Sequence, residues 1–137
     1  MSVISISPRQ LPLVRRVDVV VAGATVPAVA AALAAADAGA QVLVLAPRLY
    51  AGEDLCATLR LWQDAAPADD APLQRAAFGD GAVTTPLRVK RTLEGRLLAA
   101  GVDVLFGCLP VALAYGRDGR VRGLVMANRA GRQVVAA

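Results

Sequence analysis

At 137 residues the chain has room for one domain with a single modest core, so any second domain has to come from elsewhere. It is 56% hydrophobic yet only 4% aromatic, and much of the apolar fraction is alanine, which suits Ala-rich helices packed closely on Val/Leu strands and excludes a bulky aromatic core. The net charge of +4 comes from scattered basic residues, with one cluster at Arg88, Lys90, Arg91 and Arg96 that lacks interleaved aromatics, so a solvated helix face is expected there and nucleic acid is not an expected partner.

Residues 1–16, MSVISISPRQLPLVRR, are interrupted by Pro8, Arg9 and Pro12 and lack the apolar core and small-residue cleavage site of a signal peptide. They read as an N-terminal extension of a cytoplasmic protein. Val17 to Ala22 is a β-branched run, expected as a parallel-sheet strand buried on both faces, and Gly23 ends it. From Val26 to Ala38 the composition turns helix-favouring, with Pro27 in the first turn and Gly39 as a stop. Gln41 to Leu45 reads as a second buried strand, which completes a right-handed parallel crossover. Within this unit Val19 to Ala36 runs 18 residues without a charge, long enough to raise a membrane span. Gly23, Thr25 and Pro27 in its middle, and alanine through its second half, favour strand, turn and helix, so no membrane is expected.

After Pro47 the stretch RLYAGEDLCATLRLW suggests a turn and a short helix, and residues 63–83, rich in Ala, Asp, Pro and Gly, read as a mobile excursion. TTPLRVKRTLEGRLLAAG then carries threonine caps, Pro86 at the first helical position, Leu87, Leu93, Leu97 and Leu98 as an apolar side, and Gly101 as a terminator. Val102 to Phe106 reads as a third strand. Leu109 to Ala137 breaks at RDGR from Arg117 and NRAG from Asn128, the pattern of an antiparallel meander. The two cysteines, Cys56 and Cys108, form no CxxC pair and the chain has no histidine, so neither a metal site nor a Cys-His nucleophile is expected.

Chemistry concentrates at VDVVVAGATVPAVAAAL. A strand that ends in glycine and turns straight into a helix aims backbone N–H groups and the positive end of the helix dipole at one point, the place for a pyrophosphate. Against the dinucleotide fingerprint GxGxxG the run supplies Gly23, then Thr25 at the second glycine position and Ala28 at the third. Where a ribose-binding acid is expected at the end of the second strand, Ala46 stands, followed by Pro47 and Arg48; Glu53 and Asp54 are the nearest acids. On pattern alone a dinucleotide site and a purely structural βαβ unit both remain open.

The runs DVVVAGA, AAALAAADAGAQVLVLAPR, YAGEDLCATLRLW, KRTLEGRLLAAGVDVLFGCLPVAL and GRVRGLVMANRAGRQVVAA together resemble FAD-dependent oxidoreductases of the glutathione-reductase-like Rossmann superfamily. The resemblance covers Val17 to Ala137 apart from the Ala/Asp/Pro excursion. It implies an α/β fold: a Rossmann-like FAD-binding βαβ unit, a second helix, a third parallel strand and a β-meander. Residues 1–137 would then be a single partial FAD/NAD(P)-binding-type domain, incomplete relative to the full family fold because a returning strand and a substrate domain would lie outside it.

By the same resemblance the cofactor is FAD, its pyrophosphate held by Gly23, Ala24, Thr25 and Ala28. The loop of Arg48, Gly52 and Glu53 would reach toward the flavin, and the backbone of Pro110 or Val111 would meet the adenine. The function so implied is that of the FAD-binding portion of an oxidoreductase, needing a partner chain or a missing C-terminal part for activity and naming no catalytic residue in this chain. The alternative is a non-catalytic, cofactor-free Rossmann-like remnant or interaction module. An NAD-binding domain fits less well, because a β-meander is foreign to it, although Arg48 offers a partner for a 2′-phosphate. An incomplete sheet also predicts self-association or capture of a partner chain.

Overall fold

The computed structural model describes residues 10–64 and 71–137; residues 1–9 of the expected extension and 65–70 of the expected excursion lie outside the described residues. Seven strands and four helices are described: β1 (Leu13–Arg16), β2 (Val19–Ala22), α1 (Val26–Asp37), β3 (Val42–Ala46), α2 (Glu53–Cys56), α3 (Pro72–Phe78), α4 (Pro86–Ala99), β4 (Asp103–Phe106), β5 (Leu109–Tyr115), β6 (Val121–Asn128) and β7 (Gly131–Ala136). β2, β3 and β4 form a parallel sheet in that order, and the other four form a second sheet in the order β1-β7-β6-β5.

The layering follows from side-chain alternation along the parallel strands. Val42, Val44 and Ala46 join the core under the helices, whereas Leu43 and Leu45 pack with Cys108, just before β5, and with Met126 and Val135 of the second sheet. β2 repeats the division, with Val19 and Val21 toward the helices and Val20 toward the second sheet. The molecule is thus a helix layer, a parallel sheet and a mostly antiparallel sheet. Full burial of β3 removes two leucines from water, a contribution of about 1.5–3 kcal/mol each. The first strand of the crossover is only half-buried rather than buried on both faces, because β2 has a paired neighbour on one edge alone among the described residues.

Local signals account for the helices. Thr25 and Thr85 cap α1 and α4 through side-chain oxygens that accept from Ala28 N–H and Arg88 N–H, and each cap is followed by a proline in the first turn. The uncharged run from Val19 to Ala36 is divided between β2 and α1, and no described helix is long and apolar enough to cross a membrane. The buried stripe of α4 is Val89, Leu93 and Leu97, an exact four-residue spacing, so the expected apolar set is corrected: Leu87 and Leu98 are 60% and 81% exposed because they fall off that stripe.

Two further stretches differ from expectation. Residues 13–16 of the expected extension form β1, which pairs in parallel with β7 before Val17 N–H, bonded to Ala136 O, carries the chain into the parallel sheet. Within the expected excursion α3 buries Leu73, Ala77 and Phe78, and Thr84 Oγ1 closes the segment by donating to Ala77 O at 2.6 Å. Pro72 at the start of α3 and the Leu73–Ala77 spacing are its sequence signature.

In the meander, Gly123 faces Ala136 across the β6–β7 ladder. A Cβ there would overlap the Val135 carbonyl oxygen and lie 2.8 Å from Ala136 Cα, and backbone atoms inside a ladder have nowhere to go. Gly123→Ala should destabilise the protein by more than about 3 kcal/mol. Urea unfolding measures this, and an unchanged midpoint would refute the role assigned to Gly123.

Candidate functional site

The strand–helix turn of the fingerprint forms as the spacing requires. Gly23 has φ +109°, its N–H donates to Leu45 O at 2.8 Å, and the space where a Cβ would stand holds nothing within 4 Å. Ala24 is buried, and Thr25 is the N-cap of α1. The hydroxyl of Thr25 is turned back on its own helix, accepting from Ala28 N–H at 3.3 Å.

A second loop, between β3 and α2, is clamped onto this turn. Gly52 N–H donates to Ala24 O at 2.7 Å, and Ala51 N–H donates to Glu94 Oε1 of α4 at 3.4 Å. Lys90 Nζ sits 3.8 Å from the centroid of the Tyr50 ring, a cation–π contact. Gly52 has φ +82°, and a Cβ on it would come within 2.7 Å of Val89 Cγ1 and 2.8 Å of Leu93 Cδ1, so glycine is what lets the loop touch α4 and Ala24 together.

The clamp delivers an acid to the helix end. Val26 N–H, at the first helical position of α1, donates to both carboxylate oxygens of Asp54, at 3.1 and 3.2 Å. Pro27 has no N–H, Ala28 N–H is taken by Thr25 Oγ1, and Val29 N–H donates to Thr25 O at 2.9 Å. From Val26 to Val29 the first turn therefore has every donor engaged within the chain. A carboxylate at the positive end of a helix is favourable, and a hydrogen bond to a charged group contributes about 1.5–3 kcal/mol.

The nine residues assigned from the resemblance divide into groups. Gly23, Ala24, Thr25 and Ala28 make the turn, and Gly52 is bonded to it. Arg48 lies on the clamped loop and Glu53 at the start of α2, and they pair at 3.8 Å with the arginine exposed and the glutamate half-buried. Pro110 and Val111 are in β5 of the other sheet, and no hydrogen bond or ion pair joins them to the α1 turn among the described residues. Ala46, where a ribose acid is expected, has no exposed surface. Cys56 is buried beneath the loop, and burial pushes its thiol above its ordinary range despite the opposing charge of Lys90, with Asp54 reinforcing the rise. A raised thiol disfavours the thiolate, the nucleophilic form.

Sequence patterns miss Asp54 and Glu94 as anchors because each meets its partner across a tertiary contact, Asp54 from 28 residues away. A groove of about 510 Å³ between α1 and α3, lined by Pro27, Ala30, Leu33, Leu73 and Arg96, runs along the helix layer instead of opening at the Gly23 turn.

No family model matches the chain, and no curated protein matches it. Solved structures do. The protein THI4 of Thermovibrio ammonificans aligns with a TM-score of 0.63 at 18% identity, over 89% of this chain and 55% of that one. The 3-ketosteroid-Δ4-(5α)-dehydrogenase of Rhodococcus jostii RHA1 aligns with a TM-score of 0.62 at 19% identity, over 91% and 44%. The myxobacterial chondrochloren halogenase CndH, described as a variant of FAD-dependent halogenases, aligns at 0.57 and 19%, over 90% and 36%. Identities this low establish fold alone. The chain has a mixed α/β fold similar to FAD-binding oxidoreductase domains and spans about half or less of these relatives.

The clamp yields a test of its own. Gly52→Ala adds a side chain to a left-handed backbone and drives it into Val89 and Leu93, an expected loss of about 2–4 kcal/mol. Thermal unfolding reports it, and a variant as stable as the native chain would show that the loop is free to move off α4.

Proposed function

We propose that this chain is the FAD-binding portion of a flavin-dependent oxidoreductase of the glutathione-reductase-like type, active only with a partner chain or further sequence that supplies the flavin and substrate pockets. The observation that carries this reading is the Val26 amide beside the Gly23 turn. It already holds a carboxylate, so the donor set at this helix end suits an anionic group, and the Asp54 oxygens stand where phosphate oxygens would bind. In this reading Gly23, Ala24, Thr25 and Ala28 form the pyrophosphate turn. Arg48, Gly52 and Glu53 face the flavin side, and the Pro110–Val111 backbone meets the adenine. Bound FAD supplies the electron-transferring ring; the chain's share is to hold and orient it. In this reading the protein works in the cytoplasm.

A specific observation favours a second reading, a cofactor-free Rossmann-like interaction module. Ala46 offers the ribose no acceptor and is sealed inside the core, where an acid introduced by Ala46→Glu would be an unpaired buried charge. Titration with FAD, followed by flavin absorbance and fluorescence, separates the two. The first reading expects saturable binding of one FAD per chain and none of NADP. Failure of the native chain, and of variants that open the turn (Thr25→Gly, Asp54→Asn), to bind FAD in the millimolar range would leave the second.

Both readings include self-association or a partner chain. Supporting this, β2 has an edge without a strand neighbour among the described residues, and Leu109, Leu113, Tyr115 and Val121 of the meander are exposed. Light scattering across the micromolar range should find dimers or larger species, and a strictly monomeric folded chain would contradict this.

A further inference from the structure

α1 is capped twice. Thr25, at the N-cap position, already satisfies Ala28 N–H in the way serine and threonine caps usually do. Asp54 then arrives from a different helix to take Val26 N–H, the one first-turn donor that neither the proline nor the threonine cap accounts for. That amide is also the donor a pyrophosphate at this turn needs. The carboxylate is held there by the residues that lead into α2: Gly52 N–H bonds Ala24 O and Ala51 N–H bonds Glu94 Oε1, which ties the start of α2 to the α1 turn and to α4. Asp54 has no ion-pair partner among the described residues, so a phosphate at the same amide would meet its charge uncompensated.

Resting on the FAD-binding reading, we propose that Asp54 is a built-in competitor for the pyrophosphate: its carboxylate occupies the anion-binding end of α1, and a dinucleotide enters only as the carboxylate leaves Val26 N–H. The contact is autoinhibitory. It holds the turn closed in the cofactor-free chain and ties cofactor entry to release of the Gly52–Cys56 segment, because α2 cannot withdraw Asp54 without shifting the residues bonded on either side of it. A residue serving only as a structural cap would behave differently, since its loss would weaken the fold without opening the turn to anions.

The test compares the full native chain with Asp54→Asn, which keeps an oxygen for Val26 N–H but removes the charge, with Asp54→Ser, and with the exposed-acid control Asp80→Asn. FAD affinity is measured by titration, and inorganic pyrophosphate binding by the shift in melting temperature. Asp54→Asn and Asp54→Ser should bind FAD at least about tenfold more tightly than the native chain, the scale of one charge-assisted hydrogen bond lost to a competitor. Pyrophosphate should raise the melting temperature of these two variants and leave the native chain and Asp80→Asn unmoved. FAD binding to the native chain with equal or weaker binding to both variants would overturn the competitor role while the FAD reading stood. Variants that bind pyrophosphate but not FAD would support the competitor role and sink the FAD reading. Variants that bind neither would overturn both.

Discussion

Leu43 and Leu45 point into one core and Val42, Val44 and Ala46 into another, and a strand with no exposed residue can sit only in the middle of a layered molecule. That constraint organises the rest. β2 and β4 must flank β3, the helices must cover one face, and the four-stranded sheet must cover the other. The small side chains of α1 serve the same end, with Val29 and Ala32 fully buried so that the helix lies close to the sheet. Because β2 and β3 are parallel and in register from Val19↔Val42 to Ala22↔Leu45, they end side by side, which sets the Gly23 turn next to the loop leaving Ala46. The candidate site is a consequence of this shared ending.

What the two loops do to each other is decided by one small residue and one acid. Gly52 fits between Ala24, Val89 and Leu93 because it has no side chain, and its placement sets where Asp54 falls. α2 has only four residues, and a helix of one turn is not self-supporting, so it depends on tertiary contacts such as those of Gly52 and Asp54. The hydrogen bond that Glu94 accepts and the cation–π contact from Lys90 make α4 the frame on which the loop is mounted. The clustered basic residues of α4, whose simplest reading is a solvated face, thus include one, Lys90, that contributes to the loop.

Much of the fold is legible in the sequence where local chemistry and burial agree. Pro27, and Thr85 with Pro86, announce helix starts that the structure places within a residue or two, and the Arg117–Asp118 and Arg129–Ala130 turns part the meander where the turn signals stand. Legibility ends where the determinant is another part of the chain. All four residues of β1 are exposed, so nothing in LVRR betrays a strand that exists because β7 offers it a ladder. α3 hides in an Ala/Pro-rich stretch whose composition resembles a linker, and it is stabilised by packing on α4. At the site, the turn around Gly23 can be read directly, whereas the engagement of its donors cannot: Thr25 looks like a damaged glycine position and is a helix cap, and Asp54 looks remote and is in contact.

The pairing of β1 with β7 joins the beginning of the described chain to its end. During synthesis the parallel sheet β2–β4 and its helices have all their segments in hand once Phe106 has emerged, while Leu13–Arg16 must wait unpaired until Gly131–Ala136 follows. Long-range pairing of this kind is slow and leaves a strand edge open in the meantime. The ladder of the N-terminal strand thus requires β7, and the face of the parallel sheet that carries Leu43, Leu45 and Leu105 is covered by residues from the last third of the sequence, Cys108, Met126 and Val135 among them.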